Sequence, residues 1–263
     1  MVGIVNVTPD SFSDGGAYPS VTAAAEAAER MLADGAALVD VGGESTRPGA
    51  DPVDVDEELR RVVPVLEQLE GRRVSVDTSR AEVARQALAL GAELVNDVTA
   101  LRRDPELVGV IAESGASLCL MHMQGEPRTM QVAPRYDDVV SDVAAFLEER
   151  LVHAVAAGVD EDRICLDPGF GFGKTADQNL ELLRRLDEIV ALGRPVMVGI
   201  SRKSTLARIV PGPDERVGTD AASVGAAVAA FERGATLFRV HDVRAHVEAL
   251  AVAAAVERGR VAP

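Results

Sequence analysis

Short β-branched runs alternate with longer helical patterns along the chain, and eight such runs can be read at 2–6, 38–41, 74–77, 94–96, 118–122, 164–167, 196–200 and 237–240. The stretches between them are rich in Ala, Leu, Glu and Arg. At 21–34, 56–70 and 138–157, for example, apolar residues recur at three- and four-residue spacing, the period of a helix with one buried face. Eight β/α units in one chain predict the α/β class and, within it, a closed (β/α)8 TIM barrel. An open doubly wound sheet usually carries fewer strands and a glycine fingerprint after the first of them. Here the first run is followed by Asn6-Val7-Thr8-Pro9-Asp10-Ser11-Phe12 instead. Gly35, Gly91, Gly158, Gly193 and Gly234 each close a helical pattern just before the next strand, as glycines at helix C-termini do.

In such a barrel chemistry gathers at the C-terminal ends of the strands. Nearly every run here ends on polar residues: Asn6, the loop from Gly42 through Glu44, Ser45, Thr46, Arg47 and Pro48 to Gly49, then Asp77, and Asn96 with Asp97. Further along come His122, Asp167, the run Ser201-Arg202-Lys203-Ser204, and Arg239 with His241 and Asp242. The topology brings these ends to one barrel mouth. The set divides by charge. Arg47, Lys203, Arg239 and His241 suit an anion, and forked guanidinium donors match phosphate oxygens. Asp77, Asn96 and Asp167 form a patch rich in acceptors, suited to a flat heterocycle that offers amino and ring N–H donors. The implied ligand is a polar heterocycle carrying phosphate or diphosphate.

Composition narrows the alternatives. With 263 residues, 47% of them hydrophobic, the chain can bury one sizeable core, and a single domain over 1–263 is expected. Its 27 basic against 42 acidic residues, a net charge of −15, oppose nucleic-acid or anionic-membrane partners. Absence of Trp and an aromatic content of 3% also leave few platforms for stacking bases. There is no basic leader followed by an apolar stretch and no run of membrane-spanning length, so a soluble cytoplasmic enzyme is expected. Cys119 and Cys165 each lie inside an apolar run, which predicts buried reduced thiols rather than a disulfide.

Several motifs weaken on inspection. The segment Gly169-Phe170-Gly171-Phe172-Gly173-Lys174-Thr175 ends like a phosphate-binding Walker loop, but that pattern needs glycine at 168, where Pro168 stands. His122 has no second His or Cys at ligand spacing and reads as a strand-end histidine. Neither a Ser-His-Asp order nor a nucleophile elbow is visible, which argues against acyl-enzyme chemistry.

Eight segments in order carry a family resemblance: NVTPDSFSDGG at 6–16, GGESTRPGA at 42–50, VDTS at 76–79, NDV at 96–98, MHMQG at 121–125, DPGFGFGK at 167–174, SRKS at 201–204 and RVHD at 239–242. Through them the chain resembles the bacterial dihydropteroate synthases, the folate-pathway enzymes that sulfonamides inhibit. The resemblance implies condensation of 6-hydroxymethyl-7,8-dihydropterin diphosphate with 4-aminobenzoate, with Mg²⁺ as cofactor and a homodimer as the assembly. Carried onto matching positions, it implies that Asp77, Asn96, Asp167 and Lys203 hold the pterin. Asn6, Thr46, Arg47, Arg239 and His241 are implied at the diphosphate, with Asn6 also at the metal. Phe12, Pro48, Phe172, Lys203 and Ser204 are implied to border the aminobenzoate. Asp77, Lys203, Arg47 and Arg239 would then be the catalytic set. The loops at 7–16 and 43–52 are expected to order only with diphosphate and Mg²⁺. The chain starts almost at the first strand, where many members of that family carry an extension over the barrel bottom. Two rivals are a pterin-dependent methyltransferase on a related barrel, which has little use for a diphosphate site, and a non-catalytic binding paralogue, against which Arg47, Asp77, Lys203 and Arg239 argue.

Overall fold

A computed structural model describes residues 1–8, 20–47, 49–211, 214 and 217–259. Its eight parallel strands are β1 (Val2–Asn6), β2 (Leu38–Gly42), β3 (Val74–Asp77), β4 (Leu94–Asp97), β5 (Ser117–Met121), β6 (Ile164–Asp167), β7 (Met197–Val198) and β8 (Leu237–Val240). They follow one another around the sheet, and β1 pairs with both β2 and β8. Between β6 and β7 the contact thins to one bridge, Leu166 to Val196, with Leu166 N–H donating to Pro195 O at 2.9 Å. The result is a nearly closed (β/α)8 TIM barrel, as the alternation predicts. The seventh strand is shorter than the 196–200 run. Pro195 has no N–H to extend the ladder, and the amides of Thr236 and Leu237 both converge on Val196 O.

Helices cover the outside: α1 (Val21–Ala33), α2 (Val55–Gln68), α3 (Ala81–Ala89), α4 (Leu107–Ser114), α5 (Val139–Ala156), α6 (Ala176–Arg184), α7 (Leu186–Val190), α8 (Ser204–Ile209), α9 (Asp220–Phe231) and α10 (Val243–Arg258). Side-chain oxygens fix several starts. Ser20 accepts from Ala23 N–H at 3.1 Å and Asp54 from Glu57 N–H at 2.7 Å, while Thr175 and Gln178 cap each other's backbone at α6. The five expected C-terminal glycines all have positive φ, from 79° to 102°.

The barrel interior is built in layers, because residues two apart on a strand share a face. Val2, Cys119, Cys165 and Met197 pack with Leu38, Leu94 and Leu237 into one apolar plug drawn from every strand but β3. Both cysteines are buried free thiols, as expected. Two residues further along the same faces the character inverts: Asp40 follows Leu38, Asn96 follows Leu94, Asp167 follows Cys165 and Arg239 follows Leu237. That inversion creates the site.

Candidate active site

Contacts between strands that are not neighbours can form only across the barrel interior. Among the described residues four polar side chains make them. Arg239 on β8 donates from Nε to Asp40 Oδ2 on β2 at 2.6 Å and from a terminal nitrogen to Asp77 Oδ2 on β3 at 2.8 Å. Asn96 on β4 donates from Nδ2 to the same Asp40 Oδ2 at 3.1 Å, and Ser75 Oγ donates to Asp40 Oδ1 at 2.6 Å. Asn96 Oδ1 is buried and has no hydrogen-bond partner among the described residues. A buried acceptor left open is costly, so such an atom marks a place made for a ligand donor.

Electrostatics follow from the burial. Burial pushes the Asp77 carboxyl up to about 7, Arg239 pulls it down, and Asp40, Glu58 and Asp97 push it further up. Burial works against the Arg239 charge, but Asp40 and Asp77 more than offset it and hold the guanidinium above its ordinary value. The Asp167 carboxyl is likewise raised by burial, against the pull of the Gly169 N–H at 2.7 Å and of Lys203, Arg239 and Lys174. Asp167 Oδ2 lies beside Gly199, 3.7 Å from where a Cβ would stand.

Above this floor opens a cavity of about 620 Å³, lined by Asn6, Thr46, Arg47, Asp77, Phe172, Lys203, Ser204, Arg239 and His241 among others. Those nine residues are all sequence candidates, gathered from six separate strand-to-helix connections and strand ends. Asn96 and Asp167 lie deeper, 3% and 4% exposed, as parts of the floor. Lys203 Nζ sits 4.3 Å from the centroid of the Phe172 ring, and Phe172 packs on Val98, Met121, Met123 and Met130. His241 Nδ1 is 3.0 Å from Ser201 Oγ. Burial pushes its imidazole well below the usual range, and Arg202, Arg239, Lys203 and Arg47 push the same way. In a protein of net charge −15, these cations converge on one rim. Phe12, Pro48 and residues 9–16 of the first loop lie outside the described residues.

Neighbouring polar residues have other duties. Asp97, beside Asn96 in sequence, faces away and accepts from Ser79 Oγ, both Thr99 donors and Leu101 N–H. Asp242 caps α10 through Ala245 N–H at 3.1 Å. Glu44 anchors the second loop, accepting from Arg103 at 2.5 Å and from Val53 N–H at 3.3 Å. A second cavity of about 570 Å³ shares Glu44, Ser45, Thr46 and Asp77 and runs outward past Arg102 and Arg103.

The sequence reading overlooked two residues. One is Asp40. The other is Lys174, 2% exposed, whose Nζ lies 2.9 Å from His122 Nδ1 and from Gly169 O and 3.2 Å from Phe172 O. Three ammonium hydrogens thus meet three acceptors, and His122 is a neutral acceptor: burial, with Lys174 and Arg102 adding, pushes its imidazole down to about 2. Lys174 itself is pushed by burial down to about 7. It ties down the loop that carries Phe172. Gly169 makes that loop possible, since its φ is 69° and a Cβ there would stand 1.8 Å from His122 O. The segment resembling a Walker loop is therefore an internally pegged platform, in keeping with the rejection of a P-loop.

A cavity at the mouth of a TIM barrel, with open acceptors in its floor and cations at its rim, suits a polar heterocycle that carries an anionic group. The family model described as "Pterin binding enzyme" matches residues 2–241, and the chain belongs to that family. The relatives it resembles there are dihydropteroate synthases. That of Escherichia coli (strain K12) is 47% identical over 256 residues, covering 96% of this chain and 89% of the relative. The Yersinia pestis dihydropteroate synthase solved with a sulfonamide drug complex superposes with a TM-score of 0.92 at 44% identity, covering 98% of this chain and 94% of that one. The Xanthomonas albilineans dihydropteroate synthase with 4-aminobenzoic acid gives 0.88 at 49% identity, covering 97% and 92%.

Proposed function

We propose that this chain catalyses the dihydropteroate synthase reaction: 6-hydroxymethyl-7,8-dihydropterin diphosphate and 4-aminobenzoate give 7,8-dihydropteroate and diphosphate. The observation that carries this reading is the polarity of one cavity, with the open acceptor Asn96 Oδ1 and the carboxylates Asp77 and Asp167 in the floor and cations around the rim. The pterin ring lies in the floor against Asp77, Asn96, Asp167 and Lys203. The diphosphate meets Asn6, Thr46, Arg47, Arg239 and His241. 4-Aminobenzoate enters beside Phe172, Lys203 and Ser204, with Phe12 and Pro48 completing its site.

The chemistry fits these groups. The bond from the exocyclic carbon to oxygen breaks, its electron pair leaves on diphosphate, and the amine nitrogen then bonds to that carbon and releases a proton. Arg47, Arg239 and His241 stabilise the charge developing on the leaving group, and Asp77 and Asp167 stabilise the cationic ring. No strong base is needed, because the arylamine attacks a carbon already made electrophilic.

Mg²⁺ fits the donor set at Asn6. The Asn6 amide offers a hard oxygen, and Asn6 lines the cavity together with Thr46 and Arg47, where a substrate phosphate would come. Among the described residues no cluster of three or more His, Cys, Asp or Glu side chains is placed to hold a metal. Mg²⁺ commonly binds through one or two protein oxygens with substrate phosphates supplying others, and bound there it would add Lewis-acid stabilisation to the departing diphosphate.

The whole chain acts as one such domain, in the cytoplasm and as a homodimer. The dimer reading is supported by Val252 and Val256 of α10, apolar side chains one turn apart that are 65% and 75% exposed. Among the described residues no helix is long and apolar enough to cross a membrane. Light scattering checks the dimer, for which twice 27.6 kDa is expected. Sulfonamides compete with 4-aminobenzoate for the same subsite. The deciding assay supplies both substrates with Mg²⁺ and follows diphosphate and dihydropteroate. Stoichiometric formation of both is expected, and binding without turnover would favour the non-catalytic rival.

A further inference from the structure

Asp40 belongs to no motif that touches substrate in this reading, yet it is 1% exposed and takes donors from three other strands: Ser75, Asn96 and Arg239. A carboxylate held by a guanidinium only accepts hydrogen bonds, so the group facing it from Asn96 must be the amide nitrogen. That choice decides which end of Asn96 looks into the cavity. Left alone, a side-chain amide can turn over and offer either an acceptor or a pair of donors. With Nδ2 committed to Asp40, the end left open is Oδ1, the buried atom without a partner.

We infer that Asp40 is a specificity-determining positioning residue, which locks the Asn96 amide with its oxygen toward the ligand and so makes the cavity floor accept only heterocycle edges that donate N–H bonds. Asp77 and Asp167 add carboxylate oxygens of the same polarity. A ring that presents a carbonyl where a pterin presents its exocyclic amino group meets acceptor against acceptor. The same Asp40 oxygen holds Arg239 Nε, so one carboxylate sets both the heterocycle code and the aim of a cation at the rim.

The inference rests on the reading of this cavity as a pterin site, and the two fail differently. Calorimetric affinities of 6-hydroxymethylpterin and of 6-hydroxymethyllumazine, which carries a carbonyl in place of the 2-amino group, test it on the intact protein. Wild type should favour the pterin at least about tenfold, the usual penalty for an unpaired buried polar group. In Asp40→Leu the freed Asn96 amide can turn, and the preference should shrink severalfold while circular dichroism stays native. In Asp40→Asn the preference should survive, because the new amide oxygen can occupy the Oδ2 position and its NH2 can face Ser75 Oγ. Equal wild-type affinity for the two heterocycles would overturn the inference even if Asp40→Leu does not fold. So would an undiminished preference in folded Asp40→Leu. Binding of neither heterocycle would overturn the site assignment along with it.

Discussion

The lower and upper halves of the barrel interior are built from the same strands, one pleat apart, and they obey opposite rules. Below, Leu38, Leu94, Cys165, Met197 and Leu237 form a plug with no polar side-chain atoms other than thiols and a thioether. Above, Asp40, Asn96, Asp167 and Arg239 occupy the next inward positions, with Gly199 above Met197 leaving room beside Asp167. The plug contributes by excluding water, and its substitutions are felt as lost packing. The upper layer is held by hydrogen bonds, and among the described residues it leaves the buried Asn96 Oδ1 open to a donor from outside the layer. Stability and chemistry are thus separated by the rise of two residues along a strand.

The largest effect expected is at the joint between halves of the polar layer. Arg239→Met leaves Asp40 and Asp77 buried without their cation, so kcat/KM should fall roughly a hundredfold or more, with about 3–5 kcal/mol lost in urea unfolding. Steady-state kinetics and denaturation on one preparation check both. A variant that keeps near-normal turnover would erase the distinction between the layers. Met197→Ala probes the other side: about 2–5 kcal/mol of stability should go, with kcat/KM of the remaining folded protein close to wild type. A selective kinetic loss there would show that the plug takes part in catalysis.

Lys174→Met sharpens the comparison, because Lys174 is buried and polar and lines the cavity from the loop after β6 rather than from a strand. Two carbonyls and His122 Nδ1 lose their donor, so about 1–3 kcal/mol of stability should be lost, with KM for 4-aminobenzoate rising more than KM for the pterin substrate. A pterin-selective defect would place Lys174 with the floor instead.

The smallest effect is in pH. The Asp77 carboxyl is raised from 3.8 to about 7 in the folded state, so across that window the native protein holds a proton that the unfolded chain releases. Its contribution to stability is therefore full below 3.8 and is lost as pH rises through about 7. Activity runs the other way. The ionised carboxylate is the form that stabilises a cationic ring, so kcat/KM for the pterin substrate should climb through about pH 7, and Asp77→Asn should flatten that limb. An unchanged limb in Asp77→Asn would assign it to another group, Asp167 among them.

Much of this was legible in the sequence, for stated reasons. Strand positions followed from β-branched runs, and the mouth followed from asking what ends each run, which found Asn6, Asp77, Arg239 and their partners. That question has a blind spot. Asp40 lies in the middle of its run, and only the two-residue period, reading Leu38, Asp40 and Gly42 on one face, reveals a charge pointing into the barrel. Asp97 illustrates the reverse: it stands next to Asn96, but the pleat turns it outward to bind the following loop. Lys174 is hidden because its motif looks like a phosphate loop, and satisfaction of its buried Nζ depends on backbone carbonyls that no spacing displays.

The most direct test of the layered account is a crystal structure of the protein with 7,8-dihydropteroate bound. The account predicts the pterin edge donating to Asn96 Oδ1 and to the Asp77 and Asp167 carboxylates, with the aminobenzoyl group running out past Phe172 and Lys203 and the Asn96 amide nitrogen still on Asp40. Product seated instead in the second cavity, beside Arg102 and Arg103, with Asn96 Oδ1 left open, would contradict it.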